Sequence, residues 1–397
     1  MQACLSRALR GAPMVKQPLT IALIAGEASG DQLGFKLMQA LRVLHPDCRF
    51  IGVGGDRMRE EGLNSLFPMT DIAVMGILPV LGRLPLILRR IRETADFVIS
   101  SQPEALVIID SPDFTHRVAR RVRQSKPDIP IINDVSPTVW AWRPGRAARM
   151  RAYIDHVLAL LPFEPEAHQR LGGPTCTYIG HPLIERLDEL RPDAGEAHRR
   201  ASKPPIVLVL PGSRRGEIAR LMAPFGEAIA LLAQQSPDPI DFVLPAVSHL
   251  EGMIRASMAD WPVKPRLVLG EADKYAAFRT ARCALAASGT VTLELALAGV
   301  PHVVGYRVSM LEAQLRYLIQ VSTIVLPNLI LGHNAVPEFL QEACNGPALA
   351  TALLPLLTDT PQRQAQLDAM RELDQRMAVP VSPSTGAARI IDTLITR

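Results

Sequence analysis

Short, mainly apolar segments alternate with amphipathic segments along most of this chain of 397 residues. Strands without a polar face are buried on both sides, and helical segments between them favour parallel pairing. The pattern therefore predicts an α/β fold with parallel sheets covered by helices. The predicted strands are 19–25, 49–53, 105–110, 130–135, 156–160, 206–210, 241–244, 266–269, 283–286 and 302–305.

The alternation breaks once, at residues 186–205, which are polar and charged and end in Pro204-Pro205. A chain of this length also exceeds the usual span of one hydrophobic core. We therefore predict two Rossmann-like domains, with a helical tail that can pack back on the first. The predicted parts are a disordered leader at 1–17, with Met14 as an alternative start, an N-terminal domain at 18–185, a linker at 186–205, a C-terminal domain at 206–346 and terminal helices at 347–397.

Composition narrows the class of partner. Aromatic residues make up only 5% of the chain and the formal net charge is +4, which argues against a nucleic-acid binder that relies on stacking. The five cysteines show neither paired nor metal-type spacing, as expected in a reducing cytosol. No apolar run approaches the roughly 18–20 residues that span a bilayer, and residues 1–17 lack the apolar core of a secretory signal. We expect a soluble or peripherally membrane-associated protein.

A basic and apolar segment offers a membrane contact. Arg83, Arg89 and Arg90 surround Leu86, a combination that suits an anionic lipid surface. The alternative is a solvated helix face.

Two of the three tryptophans, Trp140 and Trp142, precede a second arginine cluster at 143–151. They suggest a surface for apolar chains and anionic headgroups, although a loop packed against its domain explains them equally well. His181 lies at another strand end, where a histidine is more often a structural hydrogen-bonding partner than a catalyst.

Residues 283–294 run from a short apolar strand through Ser288-Gly289-Thr290 into a helix that carries Glu294. Free N–H groups and the positive end of the helix dipole attract a diphosphate there. Glu294 lies one turn after Thr290 and can accept hydrogen bonds from a ribose diol. The segment predicts half of a nucleotide-sugar site, and the alternative is an ordinary strand-to-helix turn.

The same arrangement recurs at residues 208–217, where Ser213 can bind phosphate and Arg214 supplies a permanent cation. That cation would stabilise negative charge on a departing nucleoside diphosphate. No Asp-x-Asp motif for a divalent metal is present, and Glu271-Ala272-Asp273 is a poor match. We therefore predict chemistry without a metal or another cofactor, against the alternative of a surface turn with solvated arginines.

Three polar residues interrupt apolar segments further along the chain: Asn328, Glu338 and Gln341. An asparagine beside proline in such a run needs hydrogen-bond partners. A ligand phosphate or sugar would supply them, and so would a capped turn.

Carboxylates follow two strands of the first half. Glu27, in a glycine-containing turn, would repel a pyrophosphate, so Glu27 and Ser29 suit the hydroxyls or amide of a sugar acceptor better. Asp110 ends a strand, where parallel sheets present their ligand crevice, and it can take a proton from an attacking hydroxyl. Asp113 can orient Asp110 or cap the next helix. The alternatives are that both aspartates are caps and that the turn at Glu27 binds nothing.

In this order the motifs resemble those of the lipid-A-disaccharide synthase family, glycosyltransferase family 19, over residues 19–395. Each motif alone is weak, but the series is specific. The segments that carry the resemblance are Gly26-Glu27-Ala28-Ser29-Gly30-Asp31, Val74-Met75-Gly76, Val80-Leu81-Gly82-Arg83-Leu84, Ile109-Asp110-Ser111-Pro112-Asp113-Phe114, Val135-Ser136-Pro137-Thr138-Val139-Trp140-Ala141-Trp142, Leu210-Pro211-Gly212-Ser213-Arg214, Ala287-Ser288-Gly289-Thr290 with Glu294, Val304-Gly305-Tyr306-Arg307, Leu326-Pro327-Asn328-Leu329 and Glu338 through Gln341.

The resemblance implies a GT-B fold, with two Rossmann-like domains facing a central cleft, and an inverting reaction. The N-terminal domain at 18–185 would bind the acceptor and face the membrane, and the C-terminal domain at 206–346 would bind the UDP-sugar donor. UDP-2,3-diacylglucosamine and 2,3-diacylglucosamine 1-phosphate (lipid X) would give a β(1→6)-linked disaccharide 1-phosphate and UDP. Asp110 matches the base, and Arg214, Glu294 and Asn328 match residues important for the donor. The resemblance also implies a peripheral position on the cytoplasmic face of the inner membrane and, in some members, a homodimer with exchanged C-terminal helices.

The sequence departs from the family pattern at three places. His333-Asn334 follow Gly332 where Gly-Arg-Glu is common, Asn133-Asp134 stand where some members have His-Tyr, and Pro79 replaces a common acid. These departures leave acyl-chain length and phosphate contacts open.

Other GT-B enzymes are the main alternatives: an N-acetylglucosaminyltransferase acting on a lipid-linked peptidoglycan precursor, or a UDP-sugar 2-epimerase. A nucleotide-sugar sensor without catalytic activity is a third interpretation. A nicotinamide-dependent oxidoreductase is disfavoured, because neither glycine-containing loop matches the dinucleotide-binding fingerprint.

Overall fold

The computed structural model describes residues 18–73, 77–309 and 321–396, with residues 77–81 as backbone only. The predicted leader at 1–17, including Met14, and the motif Val74-Met75-Gly76 lie outside the described residues. Each half of the chain forms one parallel sheet with helices on both faces, so the α/β prediction is confirmed.

The first half contains seven strands and six α-helices among its described residues. In chain order they are β1 (Thr20–Ala25), α1 (Ala28–Leu44), β2 (Arg49–Val53), α2 (Asp56–Glu60), β3 (Asn64–Ser65), α3 (Ile77–Ser101), β4 (Ala105–Ile109), α4 (Pro112–Ser125), β5 (Ile131–Asp134), α5 (Gly145–Met150), β6 (His156–Ala159), α6 (Glu164–Arg170) and β7 (Thr175–Tyr178). The strand order is β3-β2-β1-β4-β5-β6-β7.

A connection of short helices follows: a 3-10 helix at Pro182–Arg186, α7 (Leu187–Leu190) and α8 (Ala194–Ala201). The polar segment predicted as a linker is therefore partly helical. Asp193 and Glu196 form a reciprocal capping box at the start of α8.

The second half contains a sheet of six strands in the order β10-β9-β8-β11-β12-β13. In chain order its elements are β8 (Ile206–Leu210), α9 (Arg215–Gln235), β9 (Asp241–Ala246), α10 (Glu251–Ser257), β10 (Arg266–Leu269), α11 (Glu271–Thr280), β11 (Cys283–Ala286), α12 (Thr290–Leu297), β12 (His302–Tyr306), α13 (Leu326–Leu331), β13 (Glu338–Leu340), α14 (Gly346–Leu353), α15 (Pro361–Met377) and α16 (Pro383–Ile395).

Arg200 of α8 explains why this basic segment lies against the second half. Its guanidinium donates hydrogen bonds to the carbonyl oxygens of Phe278 and Arg279 at the end of α11 and of Ala298 and Gly299 after α12. A cation at two helix C-termini satisfies carbonyl groups that have no partner within their own helices.

All ten predicted strands are present, but the prediction missed β3, β7 and β13. These three strands lie at the edges of their sheets. Edge strands have one strand neighbour and a partly exposed face, so they need no continuous apolar run. The pattern of buried strands therefore could not reveal these three, whereas the fourth edge strand, β10, was predicted because most of its residues are apolar.

The terminal helices divide between the two sheets. Met370 and Leu373 of α15 belong to the core of the second half, whereas Ala388 and Ile391 of α16 are fully buried with the first sheet and α1. The hydroxyl of Tyr178 donates to the carbonyl oxygen of Met377 at 2.8 Å, where the chain crosses back. Among the described residues, no helix is long and apolar enough to cross a membrane.

We expect Ile391→Ala to lower the free energy of unfolding by about 2–5 kcal/mol, because it leaves a cavity between α16 and α1. Denaturant titration followed by circular dichroism measures the change. The matched control is Val43→Ala, since Val43 is an aliphatic residue of α1 that is 82% exposed. Equal stability of the two variants would contradict docking of α16 on α1.

Candidate functional site

In each sheet, the chain first adds strands on one side of the first strand and then adds strands on its other side. β1 lies between β2 and β4, and β8 lies between β9 and β11. Loops that leave two such neighbouring strands diverge to opposite faces and open a crevice at the carboxyl ends of the strands. The two crevices are therefore at β1/β4 and β8/β11, which carry most of the predicted site residues.

The β8/β11 crevice is a cavity of about 570 Å³. Leu210 and Ala286, the last residues of the two strands, are register partners, so both loops begin at the same level. The wall of the cavity includes Ser213, Arg214, Glu217, Glu271, Lys274, Ser288, Gly289, Thr290, Val291 and Glu294. Six of the nine predicted donor residues therefore come together here: Ser213, Arg214, Ser288, Gly289, Thr290 and Glu294.

The N-terminus of α12 opens into this cavity. Gly289 precedes the helix with a φ of +139°, a conformation that favours glycine. No side chain caps this helix end, and its first turn contains no acidic residue. Thr290 and Val291 line the cavity, so the first N–H groups and the helix dipole favour an anion at this position.

Glu294 is 8% exposed and forms a bidentate ion pair inside the cavity. The Lys274 Nζ lies 2.9 Å from both carboxylate oxygens, and the Tyr275 hydroxyl donates to Oε1 at 3.2 Å. Burial raises the pKa of Tyr275 above its ordinary value, so its hydroxyl keeps the proton it donates. Sequence reasoning missed Lys274, because Glu271-Ala272-Asp273-Lys274 resembles a solvated helix face.

The loop after β8 has a different arrangement from the one predicted. The Glu217 carboxylate accepts the N–H groups of Ser213 and Arg214 at 3.2 and 3.3 Å and the Arg214 guanidinium at 3.1 Å. The loop amides expected to bind phosphate are thus bonded to a carboxylate that the sequence analysis had not assigned. The Arg214 side chain is 68% exposed at the cavity wall, which leaves it accessible to an anion.

Asn328, Glu338 and Gln341 are not among the residues that line the cavity. The buried Asn328 amide bonds to both the N–H and the carbonyl oxygen of Val336. This geometry fits the alternative of a capped turn. Glu338 accepts the N–H of Ile324, and Gln341 accepts that of Val308. Their direct contact with the donor stays a prediction.

The β1/β4 crevice places Asp110 beside the glycine-containing turn after β1. Asp110 and Ser111 have φ values of +52° and +45°, a strained conformation for residues other than glycine and one that clusters at functional sites. The Ser111 hydroxyl donates to Glu27 at 3.2 Å. A Cβ atom on Gly26 would lie 2.5 Å from that of Ser111, so this close approach requires glycine.

The other predicted acceptor residues lie further out. Ser29 and Asp113 are exposed, and Asp113 forms a loose ion pair with Arg146 at 3.4 Å. Asp31 is structural: its carboxylate accepts the N–H groups of Gly55, Arg57 and Met58 at the start of α2.

Asp134 is a buried carboxyl group beside this crevice that sequence reasoning left without a role. It ends β5 next to β4, and its backbone oxygen accepts the N–H of Asp110. Its side chain is 4% exposed, and Oδ1 has no hydrogen-bond partner. Burial, reinforced by the negative charge of Asp110, raises the pKa of Asp134 to about 7.

The histidines near the crevice are structural. Burial lowers the pKa of His116 and of His168 to about 4, and these side chains bond to Asn133 and Ser136, respectively. Burial likewise lowers the pKa of His181 to about 4, and its Nδ1 accepts the N–H of Leu183. The sequence-based interpretation of His181 as a structural partner fits this geometry.

Trp140 is an anchor of the domain rather than a surface group. Its indole N–H donates to Glu164 at 3.1 Å, and its ring contacts Phe163 edge to face. Trp142 is half-buried, with the Arg143 guanidinium 4.4 Å from its ring centre. Both indoles are half-buried, and the contacts of Trp140 fit the alternative of a loop packed against its domain.

The basic segment of α3 is partly used by the protein itself. Arg90 forms ion pairs with Asp71 at 2.6 Å and Glu93 at 2.7 Å and stacks on Phe67. Leu86 is half-buried, whereas Arg83, Leu84, Leu88 and Arg89 are exposed. An exposed surface for lipid headgroups therefore cannot include Arg90 in this conformation.

Across residues 18–73, 82–309 and 321–396, no three His, Cys, Asp or Glu side chains are grouped so that they could hold a metal ion.

Comparisons with known proteins identify the chemistry to which this geometry belongs. A family model described as lipid-A-disaccharide synthetase matches residues 21–389. The chain is 57% identical over 374 residues to the lipid-A-disaccharide synthase of Nitrobacter hamburgensis, with 94% of each chain covered. It is 44% identical over 390 residues to that of Rhodospirillum centenum, with 96% of each covered.

Solved structures share the fold at much lower identity. A putative UDP-N-acetylglucosamine 2-epimerase from Listeria monocytogenes superposes with a TM-score of 0.60 and 15% identity, covering 95% of each chain. MurG from Acinetobacter baumannii gives 0.58 and 13%, covering 96% of this chain and 100% of that one. These likenesses concern the fold alone, and they confirm the GT-B prediction.

We expect Asp134→Asn to change how stability depends on pH. The pKa of Asp134 is 3.8 when unperturbed and about 7 in the folded protein, so the folded state binds the extra proton between these values. The stability that Asp134 contributes is full below about pH 4 and is lost as the pH rises through 7. Relative to the parent, the free energy of unfolding of the variant should therefore rise between pH 5 and 8, by on the order of 2–4 kcal/mol.

Urea unfolding of both proteins at several pH values measures this difference. The control is Asp128→Asn, because Asp128 is exposed on the loop before β5. Parallel pH profiles for the parent and Asp134→Asn would show that Asp134 is ionised in the folded protein at neutral pH.

Proposed function

The chain belongs to the lipid-A-disaccharide synthetase family, and from this membership we propose the substrates, the reaction and the residues that carry it. The protein is an enzyme, a glycosyltransferase of lipid A biosynthesis. Its donor is UDP-2,3-diacylglucosamine and its acceptor is 2,3-diacylglucosamine 1-phosphate. The observation that carries the proposal is the meeting of an uncapped helix end, Arg214 and Glu294 in the β8/β11 cavity.

In the proposed reaction, the 6-hydroxyl oxygen of the acceptor attacks the anomeric carbon of the donor. The new carbon–oxygen bond forms as the bond to the diphosphate breaks, so the configuration inverts. The products are a β(1→6)-linked disaccharide 1-phosphate and UDP. The hydroxyl proton passes to the carboxylate of Asp110.

The donor binds in the β8/β11 cavity. The diphosphate lies at the start of α12, where the N–H groups are free of side-chain caps. Arg214, exposed at the wall, stabilises the charge that develops on the leaving diphosphate. Glu294 accepts hydrogen bonds from the ribose hydroxyls. Supporting this position of the loop, the Ser288 hydroxyl donates to the carbonyl oxygen of Ile324 at 2.8 Å.

The acceptor binds in the β1/β4 crevice. Asp110 stands at the carboxyl end of β4, with its backbone strained, beside Ser111 and Glu27. Asp110 is the base, and Glu27 and Ser29 meet polar groups of the acceptor sugar. Asp113 is exposed and paired with Arg146, which makes it the less suitable base.

The enzyme works at the cytoplasmic face of the inner membrane, with the exposed residues of α3 against lipid. Leu84 and Leu88 are 38% and 39% exposed, and Arg83 and Arg89 flank them. Apolar side chains among cations suit the interface of an anionic bilayer. A homodimer, as the resemblance implies, stays a prediction.

Asp110→Asn should lower kcat by roughly 10²–10⁴-fold, the usual contribution of a general base, and leave the Kd for UDP within about threefold. Mass spectrometry of the product formed from both lipid substrates measures turnover, and calorimetry measures UDP binding. Asp113→Asn is the matched control and should keep kcat within about threefold. Formation of no disaccharide by the parent enzyme would refute the function, and full activity of Asp110→Asn would refute the base.

Reversing two charges on α3, with Arg89→Glu and Arg92→Glu together, should weaken binding to vesicles that contain anionic lipid. Each basic residue near such a surface contributes about 1 kcal/mol, so the partition coefficient should fall by at least roughly thirtyfold. Vesicle sedimentation measures it. Arg371→Glu is the control, since Arg371 is an exposed residue of α15. An equal fall in the partition coefficient of the α3 double variant and of Arg371→Glu would mean that net charge, rather than α3, determines binding to the vesicles.

A further inference from the structure

The donor cavity contains more negative than positive side chains. Arg214 and Lys274 are its cations, and Glu217, Glu271 and Glu294 are its carboxylates, a formal excess of one negative charge. A nucleoside diphosphate is itself an anion. Its binding beside a buried carboxylate therefore requires that each carboxylate charge be neutralised locally, because charges out of water are weakly screened.

Each carboxylate has its own cation. Glu217 is paired with Arg214 at 3.1 Å, and Glu271 with Arg186 at 2.8 Å. Glu294, the carboxylate next to the start of α12, is paired with Lys274 at 2.9 Å. The Lys274 and Glu294 side chains are 25% and 11% exposed, so this pair is the more enclosed of the two around the diphosphate position.

The position of Lys274 is fixed by its neighbours. Its Nζ lies 4.7 Å from the centre of the Tyr275 ring and 5.5 Å from that of Phe278. The Tyr275 hydroxyl lies within hydrogen-bond distance of the carboxylates of Glu294 and Glu271. The Arg186 guanidinium lies 4.9 Å from the centre of the Tyr275 ring. The ammonium group is therefore held against Glu294 by aromatic faces and a hydrogen-bonded phenol.

We infer that Lys274 is a positioning residue of the donor site: it neutralises Glu294 so that this carboxylate can bind the ribose while a diphosphate binds beside it. The inference rests on the proposed function, which places the nucleotide in this cavity. Lys274 acts through Glu294 and does not itself need to contact the nucleotide. Without it, the excess of negative charge in the cavity wall doubles.

The test compares UDP with uridine, which offers the same base and ribose without the diphosphate. The ratio of the uridine Kd to the UDP Kd isolates the contribution of the diphosphate. Lys274→Met should lower this ratio by roughly 10–100-fold, the effect of one uncompensated charge in a poorly screened site. Lys274→Arg should keep it within about threefold. Lys264→Met, at an exposed lysine before β10, is the matched control and should leave it unchanged.

The decisive variant is Lys274→Met combined with Glu294→Gln, which removes both charges. If Lys274 acts by neutralising Glu294, the ratio should return to within about threefold of the parent value. A ratio that stays low in the double variant would mean that Lys274 contacts the diphosphate directly, and an unchanged ratio in Lys274→Met would mean that it has no role; either result overturns the inference.

Thermal unfolding of each variant shows whether the loss is one of folding, and calorimetry at constant ionic strength gives the Kd values, with uridine measured by competition. A folding defect would lower both affinities together, so it cannot produce the lowered ratio that is expected for Lys274→Met. Failure of the proposed function is separate: the parent protein would then bind no UDP or form no disaccharide.

Discussion

The pairing of β8 with β11, and of β1 with β4, is the constraint on which both sites depend. Leu210 is in register with Ala286, and Ala25 with Ile109. Because the paired strands end level with each other, the loops that follow them begin side by side and then diverge to opposite faces of the sheet. Short polar loops can therefore build a crevice without long insertions. Asp110, Arg214 and Glu294, the residues central to the proposed reaction, all follow one of these two pairings.

The register of β8 and β11 explains the position of the proposed donor cavity, and electrostatics explains which charged side chains form its wall. The wall holds more carboxylates than cations, which is unexpected for a site that binds an anion. The uncapped N-terminus of α12 supplies positive potential without a side chain, and ion pairs neutralise the carboxylates one by one. The carboxylates are then available for hydrogen bonds, and Arg214, the more exposed of the two cations, can serve the leaving group. The proposed binding of a nucleoside diphosphate therefore relies on the placement of these groups rather than on a large net charge.

Sequence patterns predicted the features that follow from burial and from turn chemistry. Central strands such as β4 and β8 are apolar throughout, so they were recognised, and the residues at their carboxyl ends, Asp110 and Arg214, followed from the topology. Edge strands such as β13 carry no such pattern. Lys274 was missed because a helical residue beside acidic neighbours looks solvated until its helix is packed against another. Asn328 was expected at the ligand because it is polar within an apolar segment, and the structure supplies backbone partners that no local pattern could reveal.

The chain passes between its two halves twice, and these passages lie close together. The first follows β7 through the 3-10 helix at Pro182–Arg186, and the second runs from α15 to α16. The bond from Tyr178 to Met377 joins them at 2.8 Å. Hinges between domains are formed by a few residues in loops and at the ends of elements, and both connections are of this kind. Arg186 belongs to the first connection and also pairs with Glu271 of the donor cavity. The first connection between the halves therefore also takes part in the ion-pair network at the wall of the proposed donor cavity.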